Sequence, residues 1–561
     1  MIRDILKKSI HNALENLSVV GADILLEHPT ELSHGDYSTN IAMMLAKELK
    51  QSPRDLAENI VKYIKENQPR EVLHVDVAGS GFINFHLSRQ FFAESLTEIL
   101  QKSDTWGTNS LCKGKKVMVE YTDPNPFKEF HIGHLMSNAI GESISRIVAF
   151  SGAEVKRANY QGDVGLHVAK AIWGLRKSGN TPDDIQTLGT AYARGAFAYE
   201  EEENAKAEMQ AMNKSVYTRD SEEINALYDK GRTLSLAYFE TIYQKLGTRF
   251  DHYFFESESG VFGKETVREH TDVFEESEGA VVFRGEAHGL HTRVFINKEG
   301  LPTYEAKELG LAKLKHDTYS YDLSLIITGN EVSEYFKVIL KAMEYVFPEL
   351  APKTRNITHG MMRLATGKMS SRTGEIVTAE SLIQSVQAQT LEKMKDADEE
   401  KAVENKEEVA ERVAVGAIKY SILKQSAGKD IVFDMEKALS FEGDSGPYLE
   451  YAYARACAVL AKTGKVSAAA KLPRTNVIVT HTERLLYRFP EVVERAALLY
   501  EPHHITTYLT ELAGVFNNYY AHEKILDGSP DEPYKLALTK AFAITMKNGL
   551  ALLAIPAPEK M

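Results

Sequence analysis

Cysteine is scarce in this chain: Cys112 and Cys457 are the only two among 561 residues. Two thiols so far apart supply neither a disulfide framework nor a Cys-based zinc site, and they suit a reducing cytoplasm. There is also no continuous apolar run of the ~18 or more residues that a membrane-spanning helix needs. The opening MIRDILKKSIHNALENL lacks the unbroken apolar centre and small-residue cleavage site of a signal peptide and reads as an amphipathic helix. An excess of positive charge is missing too. Lys and Arg total 66 against 79 Asp and Glu, a net charge of −13. That balance weighs against a bulk nucleic-acid coat protein and leaves room for a locally basic docking surface. The 43% hydrophobic and 26% charged residues are ordinary for globular chains and exclude a disordered or fibrous class. At ~100–200 residues per domain, the length predicts about three or four domains.

Residues 1–110 read as a compact α+β module. Helical periodicity over 2–17 puts Ile5, Ile10, Leu14 and Leu17 near one face, and 40–49 is helical again. Strand-like runs at 74–78 and 82–87 flank the turn Gly79-Ser80-Gly81, and a helix over 89–100 closes the module. A second region, 111–395, opens on a buried-strand pattern at 115–121, followed by a helix over 131–150 and a strand over 153–160. That order begins a doubly wound nucleotide-binding fold. The stretch 181–246 is helical and charged, with Glu200, Glu201, Glu202 and Glu203 in a row, and belongs to an insertion at about 180–300. Strand patterns return at 281–283, 292–296, 323–327 and 356–362, and from about 396 to 561 the pattern is helical throughout. The expected fold class is α/β: a doubly wound, Rossmann-like domain with a helical insertion, an N-terminal α+β module and a C-terminal all-α bundle.

The chemistry concentrates directly after the first strand, where Asn125, Lys128, His131, Gly133 and His134 lead into a helix. Backbone N–H groups at a helix start attract phosphate. Two histidines three residues apart share a helical face and can point at one anion, and the glycine between them lets a flat base or a phosphate approach. Pro124 and Pro126 stiffen the lead-in. The bland alternative is a pair of surface histidines at a helix cap. A second polar, cationic loop, Gly367-Lys368-Met369-Ser370-Ser371-Arg372-Thr373-Gly374, follows the last strand pattern and suits a mobile clamp on a triphosphate.

Together these two segments resemble the HIGH and KMSKS signatures of class I aminoacyl-tRNA synthetases. Further segments resemble the arginyl-tRNA synthetase family over nearly the whole chain. They include His34-Gly35-Asp36-Tyr37, Gly81-Phe82-Ile83-Asn84-Phe85, the stretch from Arg157 to Gly165, that from Phe250 to Ser257, that from Val415 to Tyr420, that from Phe441 to Tyr448, Tyr451 to Arg455, and the ending at Met561. The resemblance implies three domains: a tRNA-binding module over 1–110, a catalytic domain over 111–395 and an anticodon-binding bundle over 396–561. It implies an arginine–tRNA ligase that activates arginine with ATP and passes it to the 3′ end of tRNA(Arg), with activation dependent on tRNA.

The residue roles follow from the same resemblance. Lys128, His131, Gly133, His134, Lys368, Met369, Ser370 and Ser371 would bind ATP. Asn125 would hold the α-amino group of arginine, and Glu256, Tyr304 and Glu308 its guanidinium. A planar cation does need bidentate carboxylates, and Tyr304 and Glu308 share a helical face at i, i+4. Glu308 stands where the family usually has aspartate, so the pocket is expected to be set back slightly; a solvated helix face is the alternative. Ser371 replaces the family's second loop lysine, and Lys128, just before HIGH, takes over its phosphate contact. Asn330-Glu331 departs from the family pattern and receives no role. Phe82 and Asn84 would read a base in the dihydrouridine loop, and Tyr448 and Met561 would contact the anticodon side. Further aromatics there, Tyr451, Tyr453, Phe516, Tyr519 and Tyr520, are either stacking platforms or core.

Mg²⁺ is expected with ATP, and no zinc or other metal. A cytoplasmic monomer with no membrane contact is expected. The rivals are a class I synthetase for another amino acid, a non-catalytic tRNA-binding paralogue, and a small-molecule nucleotidyltransferase. The first is disfavoured by the acidic pocket and the N-terminal module, the second by the intact His131, His134 and Lys368, and the third by the C-terminal bundle.

Overall fold

The computed structural model describes residues 1–365, 377–395, 405–463 and 478–560. They form two compact units, one of residues 1–106, 455–489 and 514–545, the other of residues 107–454, 490–513 and 546–561. The C-terminal helices Gly446–Ala461, His503–His522 and Glu532–Leu552 therefore each contribute to both units.

In the first unit the central strand Phe82–Leu87 pairs antiparallel with Tyr37–Thr39 on one side and Val72–Ala78 on the other. The helices Ile2–Asn16 and Pro53–Glu66 pack into the same core. The first of them buries Ile2, Leu6, Ile10, Ala13 and Leu14, while Ile5 is exposed, so the apolar stripe runs beside the expected one. The His34-Gly35-Asp36-Tyr37 motif has a structural cause. Gly35 adopts φ 85°, and a Cβ there would strike the Phe85 carbonyl oxygen. The buried Asp36 carboxylate accepts the Leu87 N–H at 2.8 Å and pairs with Arg484. Glu483, also buried, accepts from Arg89 and from the Tyr534 hydroxyl.

The second unit is built on five parallel strands in the spatial order Thr354–His359, Leu323–Gly329, Lys116–Glu120, Glu154–Gln161 and His252–Phe255. The order reverses between Lys116–Glu120 and Leu323–Gly329. Such a switch point opens a crevice at the carboxyl ends of the two strands, where doubly wound sheets take their ligands. The helix Ile132–Phe150 leaves from that crevice. Its far end holds the chain's last helix: Ser143 Oγ donates to the Leu552 carbonyl at 2.9 Å and Arg146 to that of Ala551 at 2.9 Å. The buried Lys419 ammonium donates to the Ala554 carbonyl at 2.7 Å.

The stretch 180–300 is not one insert. The helices Ile185–Glu201, Glu203–Thr218 and Glu222–Lys245 precede His252–Phe255, which is the edge strand of the core sheet. A separate antiparallel sheet, Glu275–Ser277, Ala280–Phe283 and Arg293–Ile296, follows it. The patterns expected at 281–283 and 292–296 thus belong to this small sheet. No described helix is long and apolar enough to cross a membrane.

Candidate active site

The segment after the first core strand turns sharply. Thr122, Asp123 and Phe127 all have left-handed backbone, at φ 82°, 45° and 69°. Such conformations cost of order 1–3 kcal/mol each and persist only where neighbours enforce them. Here they do: Ser137 Oγ accepts the Thr122 N–H at 2.9 Å, Asp123 accepts the Tyr160 N–H at 2.8 Å, and Ser235 Oγ accepts the Phe127 N–H at 2.9 Å.

His131 caps the helix instead of lying in it. Its Nδ1 accepts the Gly133 N–H at 3.0 Å, and His134 Nδ1 accepts the His131 N–H at 3.3 Å. The rings stack with centroids 3.6 Å apart. Because each Nδ1 is an acceptor, each neutral ring carries its proton on Nε2. Burial and the Lys128 charge bring His131 down to about 4, and burial with the His131 and Lys128 charges holds His134 well below its ordinary range. The histidines are therefore neutral Nε2–H donors, suited to phosphate oxygens. Gly133 has a reason beyond ligand access: a Cβ there would lie 2.9 Å from His131 Cε1.

Lys128 is half-buried, with Nζ 4.6 Å from the centre of the Tyr192 ring. Its charge also helps to depress His167, whose Nε2 lies 2.8 Å from the Gly162 carbonyl and which burial takes to about 3. On the far side of residues 366–376 the chain returns to the same place. Thr378 bridges His131, and the Ala379 N–H donates to the Phe130 carbonyl at 2.8 Å. Lys368, Met369, Ser370 and Ser371 lie outside the described residues, as does Met561.

Next to the histidine cap is a buried acidic pocket. Gly162 separates Asn125 from Glu256: a Cβ there would strike Asn125 Oδ1 and lie 3.5 Å from the Glu256 carboxyl carbon. Asp163, fully buried, accepts the Ser257 N–H at 2.9 Å, Ser257 Oγ at 2.7 Å, the Tyr228 hydroxyl at 3.0 Å and Arg232 Nε at 3.0 Å. It thereby ties the strand end at Gln161 to the helix start at Glu256. Glu256 pairs with Lys307 at 2.5 Å, and Glu120 with Lys315 at 2.6 Å. Glu308 is buried, so the solvated-face alternative is excluded, and Tyr304 hydrogen-bonds its carboxylate.

Two carboxylates of this pocket thus have their own ammonium, and Asp123 and Glu308 have none among the described residues. Burial, then the charge of Glu120, pushes both carboxyls well above the ordinary range. Lys307 keeps its charge: burial opposes it, but Glu256 with Tyr217 outweighs burial and raises the ammonium. The pocket is short of a cation.

Residues 95–435 match the family model for the catalytic domain of class I tRNA synthetases (R). Residues 3–87 match the arginyl tRNA synthetase N-terminal domain, and 449–561 the DALR anticodon binding domain. The chain belongs to the arginyl-tRNA synthetase family. It is 31% identical to an arginine–tRNA ligase of Treponema denticola over 97% of this chain and 96% of that one. To that of Clostridium perfringens it is also 31% identical, over 100% and 99%. The solved Thermus thermophilus arginyl-tRNA synthetase superposes with a TM-score of 0.83 at 26% identity, covering 100% of both chains.

Among the family's expected RNA contacts, Phe82 is exposed, whereas Asn84 is buried and its Oδ1 accepts from Ser38 Oγ at 2.8 Å. Tyr448 is partly buried, and its N–H donates to Ser445 Oγ at 3.1 Å. Tyr451 and Tyr520 are exposed, while Tyr453 and Phe516 are core, the latter stacked on Phe542 at 3.7 Å. Sequence reasoning missed Glu120, Asp123, Asp163, Lys307 and Lys315. It also missed a cluster in the first unit: His74 and His86 both lie within 3.1 Å of an Asp76 oxygen. Their rings stack at 4.1 Å and 10° apart; His86 Nε2 is hydrogen-bonded to Asp76, and His74 Nε2 lies 3.0 Å from the same oxygen.

Proposed function

We propose that this chain is an arginine–tRNA ligase. Supporting the reading above all are two carboxyls with no ammonium of their own among the described residues, the half-buried Asp123 and the buried Glu308, beside the neutral histidine cap at the sheet's switch point. A guanidinium entering there would give both carboxyls a planar, charge-assisted partner. Tyr304 would line that contact with Glu308, Glu256 would share its charge between Lys307 and the guanidinium, and Asn125 would receive the α-amino group.

ATP with Mg²⁺ is the second substrate. His131 and His134 would donate through Nε2–H to its phosphates at the helix start, where Gly133 keeps the rings together. Lys128 would bear on the phosphate charge with Lys368, in the loop of Met369, Ser370 and Ser371. The arginine carboxylate attacks the α-phosphorus in line, pyrophosphate leaves, and the mixed anhydride is then opened by a ribose hydroxyl at the RNA 3′ end. Charge builds on phosphoryl oxygens, so fixed donors and cations suffice without a protein nucleophile. The reading needs no zinc.

For tRNA(Arg), Phe82 would offer a stacking face, with Asn84 reaching a base only by giving up Ser38. Tyr448 and the chain near Met561 would act on the anticodon side. We place the enzyme in the cytoplasm as a monomer built of a tRNA-binding module over 1–110, a catalytic domain over 111–395 and an anticodon-binding domain over 396–561. ATP–pyrophosphate exchange across all amino acids, with and without tRNA, tests the assignment. Arginine alone should support exchange, near background without tRNA and strongly with it. Preference for another amino acid overturns the substrate, and strong exchange in RNA-free enzyme overturns only the tRNA dependence.

A further inference from the structure

The sheet of the first unit turns one face to the core, where Val75, Ile83 and Phe85 are buried. Alternate residues point the other way. On that other face His74 stands directly opposite His86 across the antiparallel pair Val72–Ala78 and Phe82–Leu87, and Asp76 follows two residues after His74. Directly opposite residues hold their Cβ atoms ~4.5–5.5 Å apart, so the backbone itself brings the two imidazoles together. A register shift between Val72 and His74 leads into the cluster. Irregularities of this kind re-aim side chains and recur beside functional sites.

The three polar atoms converge. Asp76 Oδ1 lies 3.0 Å from His74 Nε2 and 3.1 Å from His86 Nε2, and all three lie within 4.8 Å of one another. The ligand atoms of a tetrahedral zinc ion, each about 2.0–2.2 Å from the metal, stand ~3.3 Å apart. The two rings are within 10° of parallel, and parallel rings share no plane in which one ion meets both lone pairs. One ring therefore has to turn. The His74 side chain is 52% exposed and has the room, while His86, at 22%, is the fixed partner. Asp76 is not spent elsewhere. It lines a groove with Arg54, Lys62 and Lys65, yet among the described residues no lysine or arginine pairs with it. Its negative charge is left to the two imidazoles.

Two imidazoles and one carboxylate suit a borderline divalent ion such as Zn²⁺, whereas Mg²⁺ and Ca²⁺ prefer oxygen ligands alone. We propose that His74, Asp76 and His86 form a zinc-binding site on this face of the first unit's sheet, with water in the fourth position. Each ring then carries its proton on Nδ1 and gives the Nε2 lone pair to the ion. The ion takes no part in the chemistry above and does not depend on the ligase reading. It ties the central strand to its neighbour two residues from Asn84, and so stiffens the strand that carries Phe82.

The test uses tag-free, full-length protein stripped with chelator, and compares wild type with His74→Gln, Asp76→Asn and His86→Gln. Zn²⁺ is titrated by calorimetry and Co²⁺ by its visible absorption. Each variant should lose at least about tenfold in affinity, the least that loss of even an outer-shell partner costs a metal site. Glu501, His503 and His504 form another grouping that can take up ions, so the reading is the difference between wild type and variants. Circular dichroism and thermal unfolding of the stripped variants should match wild type. Should a variant fail to fold, the wild type decides alone: Zn²⁺ should protect His74 from diethyl pyrocarbonate, mapped by mass spectrometry. No saturable binding by wild type, equal binding by wild type and all three variants, or a His74 that zinc leaves unprotected overturns the site.

Discussion

Lys307 Nζ lies 2.5 Å from the Glu256 carboxylate, so one of the pocket's acids is paired before any ligand arrives. Among the described residues Glu308 has no such ammonium. Glu308→Gln should therefore raise the arginine KM more than Glu256→Gln does. A charge-assisted hydrogen bond is worth roughly 1.5–3 kcal/mol, which places the Glu308 effect on the order of 10–100-fold. Steady-state aminoacylation of both variants checks the order; an equal or reversed effect counts against the pocket as drawn.

Arginine binding should strengthen as pH rises. In the free site burial and Glu120 hold the Asp123 and Glu308 carboxyls above their ordinary range, so near the raised values they are partly protonated. A bound guanidinium favours the ionised forms, so binding releases protons, and the arginine KM falls as pH rises through that raised range. Calorimetry in two buffers of different ionisation enthalpy reads the proton release directly. Proton uptake would contradict the sign.

The histidine cap should stay uncharged well below neutrality. His131 is held to about 4 by burial and the Lys128 charge, and His134 is also lowered. Nitrogen-15 spectra at pH 5.5 should show both rings as neutral Nε2–H tautomers. Imidazolium signals at that pH would mean that charge, and not hydrogen bonding, holds the phosphates.

Lys128→Ala should damage activation more than Lys368→Ala, because Ser371 leaves the loop one lysine short. Adding Ser371→Lys to Lys128→Ala should recover part of the exchange rate. A double variant no better than Lys128→Ala alone removes the compensation.

Gly162→Ala should impair arginine binding with little change in the ATP KM. The new methyl would strike Asn125 Oδ1, which leaves the histidine cap untouched. Overpacking of this kind typically costs ~1–3 kcal/mol, or about 5–150-fold if it falls on binding. An ATP KM that rises as much as the arginine KM would refute this division of the site.

The histidine cap was legible in the sequence because its chemistry is local: a strand, a proline-stiffened turn and two rings three residues apart. The acidic pocket was legible only in part. Its carboxylates come from the strand end at Glu120, the turn at Asp123, the helix start at Glu256 and the helix Tyr304–Thr318. Only the fold brings these together. Lys307 and Lys315 carry no local signal of burial, because a lysine on a helix is usually solvated, yet that helix is buried on most sides and both lysines lie inside. The edge strand His252–Phe255 was hidden for a different reason. Four residues behind three consecutive helices carry too short a pattern to separate from a turn.

The helix Ile132–Phe150 has 19 residues and so is about 28 Å long. Its first turn seats the histidines, and its later turns, through Ser143 and Arg146, grip the carbonyls of Leu552 and Ala551. Anyone building chimaeras to exchange anticodon preference between relatives will therefore meet an engineering constraint. A transplanted C-terminal helix arrives bolted to the rod that carries the histidine cap. Residues 551–554 should travel with their host's Ser143, Arg146 and Lys419, or the graft will register as a defect in ATP handling.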